Sequence, residues 1–165
     1  MFKSLIIANL FVTLGYAFFA AGLLLFFLFS RKNPYIPVLA GLSNGVLAFY
    51  SLCLVLISLA IAAEAWWGLV KNRMPFRSSW EFALVLACMA FPYLRKRPLW
   101  LLLPFALLIN VGKALPHTDT GAVFTGLLHE QQGVLWGLCA LYCLVILLLF
   151  LISGWIKRLM AEEQS

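Results

Sequence analysis

Five apolar runs, divided by short polar or basic connections, constrain this chain more than any other feature. The first extends from Ser4 to Ser30 and stops at Arg31-Lys32-Asn33-Pro34, and the second covers about Val46 to Val70. The third and fourth, Trp80 to Leu94 and Pro98 to Val111, flank the basic turn Arg95-Lys96-Arg97. The fifth, Gly133 to Ile156, stops at Lys157-Arg158. Crossing a bilayer takes about 20 apolar residues, with every backbone polar group bonded internally. The segments 4–30, 46–70, 80–94, 98–112 and 133–156 are therefore expected to cross as helices. That makes residues 1–165 one all-α, polytopic membrane helical bundle of about five transmembrane helices.

Composition narrows the functional classes. Hydrophobic residues make up 64% of the chain and charged residues 11%, against about 25% charged in an ordinary soluble domain. Only short loops and a short tail remain outside the runs, too little for a soluble catalytic domain. The net charge of +6 sits in those connections, and no long basic stretch points to nucleic acid.

The third and fourth runs are short. Joined into one helix, they would place three cations and Pro98 in mid-membrane, at a cost of at least ~2.5 kcal/mol per charge. Two short spans with a basic turn are the better solution, with Arg77 and Arg95 snorkelling to extend their reach. Ahead of the second run, Gly41-Leu-Ser-Asn-Gly45 either extends the helix or forms a bent lead-in. Met1-Phe2-Lys3 and the following apolar run have the outline of a signal peptide. The run continues through Phe29, however, beyond the 7–15 residues typical of a cleavable segment, and is read as a retained span.

Orientation follows from the placement of Lys and Arg in short loops. Five spans put Arg31, Lys32, Arg95, Lys96, Arg97, Lys157 and Arg158 on one side, and Lys3, Lys71, Arg73, Arg77 and Lys113 on the other. The seven-cation side and the C-terminal tail are expected in the cytoplasm, with the N-terminus outside. Two loops then face outward together, Met74–Trp80 and Lys113–Gln132. Cys53, Cys88, Cys139 and Cys143 all fall within runs, with no CxxC spacing, and are read as small buried apolar residues.

The outward loops hold the polar chemistry. Ser78-x-x-Glu81 ahead of an apolar run is a capping-box pattern, in which Ser78 bonds the Glu81 amide and Glu81 reaches back. The alternative is that the Glu81 carboxylate acts on a ligand or pairs with Arg73 or Arg77. Trp80, like Trp66, Trp67, Trp100, Trp136 and Trp155, suits interfacial anchoring. His117 and His129, the two histidines, share the second outward loop; a neutral imidazole ligates haem iron, and a solvated loop histidine is the other reading. Glu64 is the one acid inside a long apolar run, where an ionisable group marks either function or a structural pair. Arg73, Arg77 and Lys113 are within reach as partners.

Pro75, followed six residues later by Glu81 with Trp80 just before the acid, resembles the P-x-x-N-x-Y-E loop of CcsA/ResC-type cytochrome c biogenesis proteins. The order of the surrounding features is similar over roughly residues 40–155. An apolar span precedes the loop; a short span and a basic turn follow. Then come a span with an internal proline (Pro104) and an outward segment with His129 ahead of the last span. Asn72-Arg73 stands where the family has G-H, Ser78 stands for its Asn and Trp80 for its Tyr, and the family's tryptophan-rich segment is absent. The resemblance implies a front-half version of a haem handler, a component of cytochrome c assembly that helps hold or present haem at the outer face of a bacterial inner (plasma) membrane. It implies His129 as the haem-iron ligand with His117 second, Trp80 as a stacking wall, Arg73 and Arg77 on the propionates, and Glu81 beside them. The implied partners are membrane lipid, a membrane protein supplying the missing half, and apocytochrome c.

The sequence shows no nucleophile–base pair or metal-ligand cluster for independent catalysis. A second class also fits, a small structural subunit without cofactor, packing through Gly15, Gly22, Gly41 and Gly45. A solute carrier or channel is disfavoured because the runs offer almost no polar pathway. The cation asymmetry makes one direct prediction: reporters fused after Ser165 should be active only in their cytoplasmic form. An exported C-terminus would place both polar loops on the opposite side.

Overall fold

In the computed structural model, residues 2–66, 79–111 and 132–162 are described. They form six helices: α1 (Phe2–Phe29), α2 (Tyr35–Trp66), α3 (Ser79–Ala90), a single turn α4 (Pro92–Arg95), α5 (Pro98–Val111) and α6 (Gln132–Glu162). No strand occurs among the described residues. Three helices are long and apolar enough to cross a membrane, through Ile7–Phe29, Tyr35–Ala60 and Gln132–Trp155. The other two apolar helices, α3 and α5, have 12 and 14 residues, about 18 and 21 Å at ~1.5 Å per residue.

Proline starts three of these helices. Asn33-Pro34, Phe91-Pro92 and Arg97-Pro98 each place proline at or just before a first turn, where its missing N–H is not needed. At the α1–α2 connection the Asn33 side-chain oxygen accepts the Tyr35 amide at 3.0 Å, a short-range cap that reverses the chain. The α2 helix is already under way at Tyr35, upstream of the expected Val46, so Gly41–Gly45 belongs to the uninterrupted helix. The expected third run divides at Phe91, whose extended backbone (φ −77°, ψ 116°) is the conformation a following proline favours. A uniform apolar pattern through Leu94 had masked this break.

Helices α1 and α2 form the centre. α1 packs on α2, α5 and α6; α2 packs on α1, α3, α5 and α6. Val12, Tyr16, Ala20 and Leu23 line the inner face of α1, at the helical repeat expected of one buried stripe. Leu102, Phe105 and Ile109 of α5 and Tyr142 and Ile146 of α6 close on the same core. The outer faces stay apolar, with Leu141, Leu144, Leu148, Leu151 and Ile152 of α6 exposed. Such a surface suits hydrocarbon chains rather than water.

Contact pairs fix the directions. Ser43 meets Tyr142 and Tyr35 meets Phe150, eight residues apart in opposite senses, so α2 and α6 run antiparallel. Tyr50 meets Phe82, while Met89 shares a recess with Gly41 and Gly45, so α3 also runs antiparallel to α2. The α1–α2 loop, the turn after α4 and the end of α6 therefore share one end, the basic end. Here the short hairpin departs from a full crossing. Its tip at Pro98 sits beside Asn44, nine residues or ~13 Å along α2 from Tyr35. The hairpin stops well short of the level at which α2 begins.

Polar side chains hold that depth. The Tyr16 hydroxyl donates to Asn44 Oδ1 at 2.7 Å, and Asn44 Nδ2 donates to the Pro98 carbonyl at 2.9 Å. Ser43 Oγ and the Tyr142 hydroxyl lie 3.1 Å apart. Asn110 Nδ2 reaches the Thr13 carbonyl at 3.3 Å and the Ala106 carbonyl at 2.9 Å. In the turn itself the amides of Phe91, Arg95, Lys96 and Arg97 donate to the carbonyls of Cys88, Phe91, Pro92 and Leu94. The turn thus satisfies these backbone groups within the chain.

Gly15 is the closest helix contact. A Cβ there would collide with the Tyr142 Cβ and ring, and Phe11 and Phe19 set ring edges on either side of that ring at 5.8 and 6.2 Å. Gly22, Gly41 and Gly45 would meet nothing within 4 Å, so of the four only Gly15 serves close packing among the described residues. Gly15→Leu is expected to lower unfolding free energy in bicelles by ~1–3 kcal/mol through overpacking. Gly22→Leu, the matched control, should leave it within ~0.5 kcal/mol.

Candidate functional site

Five helix termini lie toward the end opposite the basic turn: the starts of α1, α3 and α6 and the ends of α2 and α5. Antiparallel pairing of α2 with α3 and with α6 brings this about. Residues 67–78 join α2 to α3, and residues 112–131 join α5 to α6. Both segments that the sequence singles out leave the bundle from this end. Arg73, Arg77, His117 and His129 lie outside the described residues. Glu64 falls in the last turns of α2 and Trp80 in the first turn of α3; their side chains are likewise outside the description.

Glu81 is the one candidate whose side chain is described. It is 8% exposed, an unusual state for a carboxylate, which is rarely buried unless partnered. Since α3 begins at Ser79, Glu81 falls at the third helical position, the register a capping box from Ser78 requires. An acid there also meets the positive end of the helix dipole. Beside it, Phe82 is buried and meets the Tyr50 ring edge-on at 5.9 Å. Phe82 thus anchors the start of α3 against α2, with the buried Glu81 beside it. The Tyr50 hydroxyl is buried without a hydrogen-bond partner among the described residues.

The four cysteines are free, with Cys139 buried and Cys53, Cys88 and Cys143 half-buried. No group of three or more His, Cys, Asp or Glu residues able to hold a metal occurs among the described residues. The polar groups that organise the bundle, Tyr16, Ser43, Asn44 and Tyr142, were not singled out by sequence reasoning. Their signal is slight: single uncharged polar residues inside apolar runs, with nothing in the spacing to say which pair. Asn44 was the strongest such signal, an amide between two glycines.

No protein-family model, no curated protein and no solved structure matches the chain.

Burial makes Glu81 testable. If it caps α3, Glu81→Gln should leave thermal stability nearly unchanged, since Gln also completes a capping box. Glu81→Ala should cost ~1 kcal/mol. A Gln variant as unstable as the Ala variant would assign the effect to the charge and to a partner cation.

Proposed function

We propose that this integral membrane protein is a component of cytochrome c assembly that helps hold or present haem at the outer face. It would work beside a partner membrane protein that supplies the remaining spans. The observation that supports the reading is that the described helices flanking both polar segments, α2 and α3 for one and α5 and α6 for the other, end and begin opposite the basic turn. The order of elements agrees with it: a long helix, a short one, a basic turn, a helix containing Pro104, then a long connection into α6. In this reading the polar end faces outward and the basic end faces the cytoplasm of a bacterial cell, with apocytochrome c as the acceptor.

Haem would supply the iron and its two propionates. His129 is assigned as the iron ligand because an imidazole at the head of a span can lie along the outer interface, with His117 as a second ligand. Arg73 and Arg77 pair with carboxylates such as the propionates, and Trp80 offers a stacking face. Glu81, buried in the first turn of α3, suits bracing of the loop. No independent catalysis is assigned to the chain.

A second reading, a small structural subunit without cofactor, is favoured by how the core uses its polar groups. Thr13, Ser43, Asn44 and Ser51 are buried and bonded within the bundle, which is what a packing element needs and a transport path does not.

Absorption spectroscopy separates the two. Protein from haem-replete cells should carry a Soret band, alone or with its native partner. His129→Ala should reduce haem occupancy, with exogenous imidazole partly restoring it by filling the vacated axial position, and His117→Ala should do less. Absence of stoichiometric haem in both preparations would leave the structural-subunit reading.

A further inference from the structure

At the basic end, a recess of about 370 Å³ opens between α2 and the tip of the short hairpin, lined by Gly41, Asn44, Gly45, Met89, Arg95 and Pro98. We propose that this recess holds the phosphate headgroup of an anionic phospholipid, paired with Arg95. The inference is independent of the haem reading, because it concerns the other end of the molecule and a different ligand.

Three observations converge on it. The first is depth. The hairpin tip lies ~13 Å along α2 from the start of that helix, so Arg95, Lys96 and Arg97 are carried below the level of Tyr35. Cations at such depth are costly unless they snorkel or find a counter-charge. The second is division of labour. Arg97 lies over the Tyr93 ring at 4.9 Å and the Trp100 ring at 5.9 Å, an arrangement that occupies its guanidinium face. Arg95 is the charged residue that lines the recess. The third is room. A Cβ at Gly41 or Gly45 would meet nothing within 4 Å, so α2 leaves an open glycine wall beside the arginine.

Asn44 also borders the recess but is fully buried, its oxygen taken by Tyr16 and one amide hydrogen by Pro98. The group that would meet a phosphate placed here is the Arg95 guanidinium. The same turn exposes Phe91, Tyr93 and Trp100, side chains that suit an acyl and headgroup boundary rather than bulk water. That boundary favours a lipid over free phosphate. Basic pockets between helices on the cytoplasmic side are suited to such headgroups.

The test uses the full chain in detergent, read by native mass spectrometry against phosphatidylglycerol and phosphatidylcholine. Wild-type protein is expected to retain phosphatidylglycerol in preference to phosphatidylcholine. Arg95→Gln should weaken that preference about fivefold, the scale of one cation at an anionic surface. Lys96→Gln, which removes the same charge one residue away, should change it little. Gly45→Leu, which fills the recess and keeps every charge, should also weaken it; circular dichroism would confirm its fold, and the Arg95/Lys96 comparison stands without it. Equal retention of the two lipids, equal effects of Arg95→Gln and Lys96→Gln, or displacement of the lipid by millimolar inorganic phosphate would each overturn the assignment.

Discussion

The side chain of Asn44 joins three helices. Its oxygen accepts the Tyr16 hydroxyl of α1 and its amide donates to the Pro98 carbonyl at the start of α5, while its own backbone belongs to α2. In an apolar surrounding an unpaired carboxamide is expensive, so each of these bonds constrains where its partner helix can sit. α1 cannot slide along α2 without losing the Tyr16 contact. The hairpin of α3, α4 and α5 cannot rise to the level of Tyr35 without losing Pro98. Ser43, the neighbouring residue on α2, extends the same logic to α6 through Tyr142, and Gly15 lets that tyrosine approach α1.

That arrangement explains how a chain with so few polar residues acquires one geometry. Among helices bathed in hydrocarbon, apolar contact alone does little to choose a register, since lipid tails compete for the same surfaces. Interhelical hydrogen bonds average about 0.6 kcal/mol in such settings, modest singly but directional. Here three of them converge on two adjacent residues of one helix, Ser43 and Asn44, and Asn110 adds a bond from α5 to α1. The short hairpin is the element most affected, because its length by itself would let it settle at several depths.

Much of the architecture was legible in the residues. The apolar runs locate the long helices of the described residues, and the clusters at Arg31-Lys32 and Arg95–Arg97 locate the turns between α1 and α2 and between α4 and α5. The capping register of Glu81 agrees with the start of α3 at Ser79. Two features escaped for physical reasons. Pro92 breaks a segment whose hydropathy is continuous, so a reading by apolar length passes over it. The depth of the hairpin depends on pairings between Tyr16, Asn44 and Pro98, which are 28 and 54 residues apart and leave no periodic trace. Of the proposed haem contacts, Glu81 is the one with a described side chain, and its burial points to support of α3. The histidines and arginines that would meet haem are assigned from sequence, and the fold contributes the common end from which their segments depart.

The register of the bundle depends most heavily on Asn44, and a double-mutant cycle tests that dependence most directly. Unfolding free energies in bicelles would be measured for wild type, Tyr16→Phe, Asn44→Leu and the double variant. The bond between them predicts a coupling energy of roughly 0.5–1.5 kcal/mol, with Tyr16→Phe costing little once Asn44 is gone. Additive effects, with coupling indistinguishable from zero, would mean that the two side chains do not hold α1 and α2 in register.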